Sequence, residues 1–195
     1  MTRSLTRLLP IAALGMIPLA LASVTPPVAA PLPHPHFPKT LICAIPNGPT
    51  ITVKHLTVTF DREGAKKMAA GQAWHLAGAT FATDKPLVVG GREMQAGTYA
   101  LSARKAASGW ELTLHEGKGF SRPAEDVQAL ETEFVAKSAR YEHLSCDIQP
   151  GGDKKNTQLF LDVRFDEMLA RCLICLLYTS PSPRDATLSR MPSSA

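Results

Sequence analysis

The sequence predicts an all-β protein, a single antiparallel β-sandwich of jelly-roll-like or Ig-like type with little helix. Short segments rich in β-branched and aromatic residues alternate polar with apolar side chains, which is the pattern of strands with one buried face. Turn residues separate these segments by about ten positions, a spacing typical of sandwiches and barrels. The chain has 195 residues, enough for one domain with a substantial core.

Alternation locates the individual strands. The stretch TITVKHLTVTF, from Thr50 to Phe60, is rich in β-branched residues. Trp110, Leu112 and Leu114 occupy alternate positions of another stretch and therefore share one face. The predicted strands are 50–60, 81–83, 87–89, 98–102, 110–115, 127–135, 141–148 and 157–165.

Turn signals separate these strands. Gly90-Gly91, between two short strand candidates, predicts a tight hairpin turn, and Ala96-Gly97 predicts a second turn. The segment 61–64, with the sequence DREG, is predicted to end the first strand. Residues 65–73 are predicted to form a short helix or a loop.

The first 22 residues have the three parts of a secretory signal peptide. Arg3 and Arg7 give a positive start, an apolar stretch covers 8–21, and Ala20-Leu21-Ala22 offers a small-x-small cleavage pattern. The apolar stretch is short and contains two prolines, so we expect cleavage and no stable membrane span afterwards. An uncleaved membrane anchor is the alternative. The sequence predicts a periplasmic or secreted protein that begins at Ser23.

Composition divides the rest of the chain into three parts. Residues 23–40 are proline-dense and are predicted to form an extended linker. Residues 41–174 are the predicted β-sandwich domain, truncated at its C-terminal end. Residues 175–195, CLLYTSPSPRDATLSRMPSSA, resemble the conceptual translation of a transposase-type sequencing adapter, so we expect this tail to be artefactual. A disordered tail rich in serine and proline is the alternative.

Net charge argues against nucleic acid as a partner. The formal net charge of the whole chain is +4. Without the two arginines of the leader, and without the tail's two arginines and one aspartate, the mature part carries +1. A charge this small gives no basic footprint, so we predict no nucleic-acid binding.

Three cysteines lie outside the tail: Cys43, Cys146 and Cys172. An exported protein meets an oxidising compartment, in which disulfides form and persist. The sequence therefore suggests a Cys43–Cys146 disulfide that ties the start of the domain to a late strand. Two free thiols are an equal alternative, because sequence spacing does not show how closely the two Cα atoms approach.

Four motifs in the middle of the chain carry a family resemblance. In order, they are GQAWHLAGAT (71–80), LVVGG (87–91), AGTYAL (96–101) and GWELTL (109–114). Together they resemble the bacterial family called domain of unknown function 2911, over about 50–165. The resemblance implies an exported β-rich domain and carries over no activity. His75, Thr80 and Phe81 depart from the family's commonest sequence after the tryptophan, Arg-x-Gly-Ala-Asn-Glu.

The leading functional hypothesis is a non-catalytic module that binds a small ligand or a carbohydrate. Trp74, His75 and Trp110 are the candidate ligand-binding residues, because aromatic rings at the rim of a concavity suit such ligands. Core packing is the alternative role for both tryptophans. A structural envelope module, with an exposed apolar patch and no pocket, is a further class that fits the sequence.

The second hypothesis is a metal-binding protein or a metal-assisted hydrolase. His55, His115 and His143 lie in strand candidates, and three converging imidazoles with an open position can hold a catalytic metal. The sequence contains no GxSxG, HExxH, P-loop or dinucleotide motif. Catalytic residues and cofactors are therefore not assigned.

Overall fold

The computed structural model describes residues 36–152 and 157–177, and these residues form an all-β sandwich of two antiparallel sheets, as predicted. The predicted signal peptide, most of the linker and most of the tail lie outside the described residues. Over the described ranges, no helix is both long enough and apolar enough to cross a membrane. The elements are β1 (Pro38–Ala44), β2 (Thr50–Leu56), α1 (Arg62–Lys67), β3 (Ala73–Trp74), a one-turn 3-10 helix (Leu76–Gly78), β4 (Thr80–Thr83), β5 (Leu87–Val89), β6 (Arg92–Met94), β7 (Gly97–Ala106), β8 (Gly109–His115), β9 (Thr132–Val135), β10 (Tyr141–Pro150), β11 (Gln158–Asp166) and β12 (Met168–Leu176).

The first sheet is built around β7. Its members are β1, β2, β4, β7, β3 and β8. Ala100 of β7 pairs with β4 on one side and with β8 on the other, and Ala103 pairs in the same way with β3 and β8. The strands β3 and β4 therefore lie end to end along one edge of β7. The segment 75–79 joins them and leaves the regular sheet.

The second sheet is built around β12. One edge of β12 pairs with β11, and β11 in turn pairs with β10. Its other edge pairs with both β9 and β5, and β6 follows β5. The β5–β6 hairpin turns at Gly90 and Gly91, with φ of 52° and 77°, which confirms the predicted tight turn.

Backbone hydrogen bonds also join the two sheets along both sides of the sandwich. On one side, the amide of Leu144 in β10 donates to the carbonyl of Val58, 2.8 Å away. On the other side, the amide of Leu130 donates to the carbonyl of Leu112 in β8, also at 2.8 Å. These bonds satisfy backbone groups that an open sheet edge would leave exposed.

The core lies between the two sheets, and nearly every strand contributes side chains to it from alternate positions. Trp110, Leu112 and Leu114 all face it, which confirms that they share one face. Phe81 of β4 and Phe165 of β11 are among the largest side chains that are fully buried. Burying a side chain of this size stabilises a fold by about 2 kcal/mol.

The strand β1 begins inside the predicted linker. Residues 38–40 belong to it, so the predicted domain boundary at 41 was placed too late. Pro38 stands at the first position of an edge strand, where the missing amide hydrogen is tolerated. The proline-dense composition therefore hid the start of the domain.

The strand β12 was not predicted, and it extends into the predicted artefactual tail. Ala170, Cys172 and Ile174 are buried at alternate positions, as a strand requires. The first two tail residues, Cys175 and Leu176, complete the strand by pairing with β5. Strand pairing uses backbone amide and carbonyl groups, so Cys175 and Leu176 can pair with β5 even if the tail is adapter-derived.

Two local predictions were wrong. Asp61 does not belong to a closing turn but caps α1, since its Oδ1 accepts a hydrogen bond from the amide of Gly64 at 2.9 Å. The alternating segment 127–135 forms a strand only at its end, over β9. Earlier in that segment, the amide of Val127 closes a turn onto the carbonyl of Ala124. In both places a local hydrogen bond overrides the hydrophobic pattern.

The suggested Cys43–Cys146 disulfide is absent from the structure, in which both residues are free thiols. Cys43 lies in β1 of the first sheet opposite Ile51, whereas Cys146 lies in β10 of the second sheet opposite Val163. The backbone of Cys43 is thus held by pairing with β2, and that of Cys146 by pairing with β11. Burial raises the pKa of the Cys146 thiol to about 12, so the thiol is protonated and unreactive at neutral pH.

Candidate functional site

Four aromatic rings form a cluster where the two sheets meet. Trp74 of β3 contacts Trp110 of β8 and Phe165 of β11 edge-on, with ring centroids 6.3 Å and 5.4 Å apart. Phe60 contacts Trp74 at 5.6 Å and Phe165 at 5.1 Å. Trp110 and Phe165 are buried, but Trp74 is only half-buried. The cluster therefore fixes the ring of Trp74 and leaves part of it accessible.

The backbone directly after Trp74 is held in an unusual left-handed turn. Residues 76–78 have φ of 45°, 54° and 76°, and the first two are not glycines. This conformation costs an L-residue about 1 kcal/mol, which the burial of both side chains in the core offsets. The turn sends His75 away from the core, where its ring lies against Phe120 with centroids 5.3 Å apart. Backbone strain of this kind concentrates at binding and catalytic sites.

A cleft of about 710 Å³ opens beside Trp74, and we call it the Trp74 cleft. Trp74 and Met68 supply apolar surface, and Gln72 and His75 supply polar groups. The loop after β8 forms the remaining wall. The lining residues are Met68, 70–75, Arg104 and 122–125.

Two arginines give the Trp74 cleft a positive lining. Arg104 comes from β7 and Arg122 from the loop after β8. The Nη2 of Arg104 donates a long hydrogen bond of 3.4 Å to the carbonyl of Ala124, which connects the sheet to that loop. Across the described ranges neither arginine forms an ion pair. Glu125 is the single carboxylate in the lining, so the positive charges outnumber it.

Helix α1 lies beside the aromatic cluster and is fixed there by Lys105 of β7. The Nζ of Lys105 donates hydrogen bonds to three carbonyls at the C-terminal end of the helix. The distances are 2.7 Å to Ala65, 3.2 Å to Lys66 and 2.8 Å to Met68. Carbonyls at a helix C-terminus lack partners within the helix, and the helix dipole favours a cation there.

Replacing Lys105 by methionine should lower the free energy of unfolding by about 1–2 kcal/mol, because three carbonyls lose their charged donor. Methionine keeps most of the apolar stem, so the loss reports on the hydrogen bonds. Urea denaturation of the two proteins measures the difference. Lys66→Met is the matched control and should cost less than about 0.5 kcal/mol, since Lys66 makes only an exposed i,i+3 pair with Glu63. Equal losses in the two variants would contradict the proposed role of Lys105.

Two smaller clefts of about 330 Å³ each flank α1. Both are lined by Phe60 and Trp110, and Trp74 lines one of them. Beside the other, Arg62 of α1 donates a hydrogen bond to the carboxylate of Asp166 in β11. Helix α1 thus divides the accessible surface of the aromatic cluster. The cleft beside Arg62 is also lined by charged side chains, but two of them, Arg62 and Asp166, bind each other, and the Trp74 cleft has about twice its volume.

The outer face of β7 and β8 carries buried polar side chains beneath the loop after β8. Ser102 and Thr113 are paired across the ladder and fully buried, and His115 follows on the same face of β8. The Nε2 of His115 lies 3.3 Å from the hydroxyl of Ser121, which itself donates to the carbonyl of Lys118 at 2.5 Å. Burial lowers the pKa of His115, which favours the neutral ring. The serine proton is engaged by a carbonyl, so the pair fastens the loop to the sheet and is not arranged as a nucleophile and base.

The three histidines predicted as metal ligands lie in three different strands, and the ring of His55 lies close to the backbone of Leu144, the residue after His143. His55 is buried in β2, and burial lowers its pKa; His115 lies at the end of β8; and His143 lies in β10 of the second sheet. Within 36–152 and 157–177, no group of three or more His, Cys, Asp or Glu side chains could hold a metal ion. The structure therefore does not bring these histidines together as one ligand set.

The residues predicted to bind a ligand are close together in the structure. Trp74 and His75 line the Trp74 cleft, and Trp110 contacts Trp74 from the core. Sequence reasoning missed Arg104 and Arg122. Arg104 lies past the predicted end of its strand, although continued alternation would have placed it on the outer face. Arg122 lies in a loop, whose path no local pattern indicates.

The chain matches no protein-family model, no curated protein and no solved structure. The resemblance to the domain of unknown function 2911 family therefore stays a prediction. Any function has to be argued from the Trp74 cleft itself.

Proposed function

We propose that this chain is an exported, non-catalytic β-sandwich module that binds a carbohydrate in the Trp74 cleft. The observation that carries the proposal is a half-buried tryptophan, held by ring contacts, in a cleft that is also lined by five polar or charged side chains. Export is supported by the signal-peptide pattern of residues 1–22 and by the family resemblance.

The tryptophan ring suits the apolar face of a sugar. A pyranose ring presents C–H groups on its faces and hydroxyl groups around its rim, so it needs a flat apolar surface bordered by polar groups. Trp74 supplies that surface, and its contacts with Trp110 and Phe165 hold the ring in place before a ligand arrives. A preorganised ring loses little conformational entropy on binding, which favours affinity.

The polar side chains of the cleft suit the hydroxyl groups. Gln72, His75 and Glu125 together offer hydrogen-bond donors and acceptors. Gln72 and Glu125 are exposed and therefore open to a ligand hydroxyl, whereas the Nδ1 of His75 is buried without a hydrogen-bond partner in the described structure and is reached only if the ring moves. A volume of about 710 Å³ is also within the usual range for small-ligand sites.

Intrinsic fluorescence provides the test, because the sequence has two tryptophans, Trp74 and Trp110. In the Trp110→Phe variant all tryptophan emission comes from Trp74. We expect titration with a panel of neutral and acidic oligosaccharides to change that emission in a saturable way for at least one of them. Trp74→Phe should then weaken binding of that sugar by about tenfold, measured by calorimetry.

Trp110→Phe is also the matched control for the affinity measurement. It makes the same substitution in the same aromatic cluster, but at a buried ring outside the Trp74 cleft. Phenylalanine keeps an aromatic ring against Trp74, so we expect a loss of at most about threefold, well below the tenfold loss expected for Trp74→Phe. No binding of any sugar in the panel, or equal losses in the two variants, would contradict the proposed function.

A further inference from the structure

We infer that the carbohydrate bound in the Trp74 cleft is acidic and carries a carboxylate, as a uronic-acid residue does, which Arg104 and Arg122 recognise. This inference rests on the proposed function and names the class of sugar for the same site. It uses the two residues that sequence reasoning did not identify.

The guanidinium groups of Arg104 and Arg122 differ from most others in the described part of the chain. Most other arginines of the described ranges have a carboxylate close by, whereas Arg104 and Arg122 have none within ion-pair distance. Two positive charges in one cleft, neither paired with a carboxylate of residues 36–152 or 157–177, are unfavourable to each other and attract an anion. The arginines with a carboxylate within 4 Å are Arg62, Arg140, Arg164 and Arg171.

Arginine side chains fit a carboxylate ligand chemically. A guanidinium is a planar fork of donors that matches the two oxygens of a carboxylate, and it loses less hydration on binding than an ammonium group does. Arg104 is half-buried, and its long hydrogen bond of 3.4 Å to the carbonyl of Ala124 restrains the guanidinium only weakly. Arg122 is exposed, but Pro123 restricts the backbone beside it. The cleft thus offers two cations that can adjust to a ligand.

Glu125 limits how much negative charge the cleft accepts. It contributes one carboxylate to the same lining, so the two arginines leave a single excess positive charge. That balance fits one carboxylate among several hydroxyl groups, which is the composition of a uronic-acid residue. A ligand with many closely spaced anionic groups would meet repulsion from Glu125.

The test compares acidic sugars with their neutral esters on the purified chain. The probes are oligomers of galacturonate, glucuronate and mannuronate, each measured by calorimetry beside its methyl ester, which has the same ring and no charge. We expect at least one acid to bind about tenfold more tightly than its ester, and this preference should decrease as salt is added. Arg104→Gln and Arg122→Gln should each remove most of the preference.

Lys118→Gln is the matched control, because it removes one positive charge from an exposed residue of the same loop that does not line the cleft. It should leave the preference unchanged, and a loss equal to that of Arg122→Gln would overturn the inference. Equal affinity for acid and ester, with binding still dependent on Trp74, would overturn the acidic class and leave carbohydrate binding intact. Binding of neither acids, esters nor neutral sugars would overturn both proposals.

Discussion

Replacing Asp162 by alanine is expected to lower the free energy of unfolding by about 3 kcal/mol. The carboxylate is fully buried in β11, accepts two hydrogen bonds from Arg171 at 2.7 and 2.9 Å, and accepts a third from Arg164 at 2.5 Å. Its removal leaves Arg171 without the carboxylate that binds it and leaves Arg164 with only the more distant Asp147, 3.9 Å away. The value lies at the low end for a broken buried ion pair because the side chains of Arg164 and Arg171 remain 18% and 27% exposed.

Asp147→Ala is the matched control for this prediction. Asp147 stands directly opposite Asp162 in the β10–β11 ladder, but its side chain is 38% exposed and lies 3.9 Å from Arg164. It should cost less than about 1 kcal/mol. Urea denaturation of the three proteins, with a check that the slope of the transition is unchanged, measures both values. A loss at Asp162 no larger than at Asp147 would contradict the role of the network.

The burial of Asp162 shows why sequence alone could not identify this network. Asp162 and Arg164 lie on the face of β11 opposite the core residues Leu161, Val163 and Phe165, as alternation in a strand requires. However, Arg171, which donates two hydrogen bonds to the Asp162 carboxylate, lies in β12, a strand that was not predicted. Strand MLARCLICL is apolar at most positions and runs into the predicted tail, so its alternation was not recognised.

Most of the fold, by contrast, followed from local pattern. Alternation predicted the strands from β2 to β11 that are long enough to show a period of two, and the glycine pair 90–91 predicted the β5–β6 turn. Short strands such as β3 carry too few residues to display any period. Helix α1 was obscured because its cap, Asp61, occurs in a sequence that also resembles a turn.

The sequence pointed to only part of the candidate site. Trp74 and His75 line the cleft and Trp110 contacts Trp74, but Arg104 and Arg122 were not identified, and the shape of the cleft was not predicted. The cleft beside them depends on the left-handed turn at 76–78, which two non-glycine residues adopt without a local turn signal. It also depends on the loop after β8, which is placed by contacts such as that between His115 and Ser121. Such contacts join distant parts of the chain, so no window of sequence contains them.

Phe165→Ala is the second substitution for which we expect a large effect, a loss of about 3–5 kcal/mol in the free energy of unfolding. The side chain is fully buried and contacts Phe60, Trp74 and Trp110 with ring centroids 5.1, 5.4 and 5.9 Å away. Its removal leaves a cavity under three rings, which cannot collapse without moving both sheets. Phe120→Ala is the control, because Phe120 is 61% exposed and should cost less than about 0.5 kcal/mol.

Phe165→Leu separates the role of this ring in stability from its role at the site. Leucine fills much of the cavity, so the loss of stability should be only about 1–2 kcal/mol and the chain should remain folded. The edge-on contact that orients Trp74 disappears, however, and the ring gains freedom that binding must then remove. We therefore expect weaker binding of whichever sugar the chain binds, by about threefold, together with a shift in Trp74 emission. Unchanged affinity and emission would show that the left-handed turn alone positions the ring, and that the aromatic cluster serves the core and not the cleft.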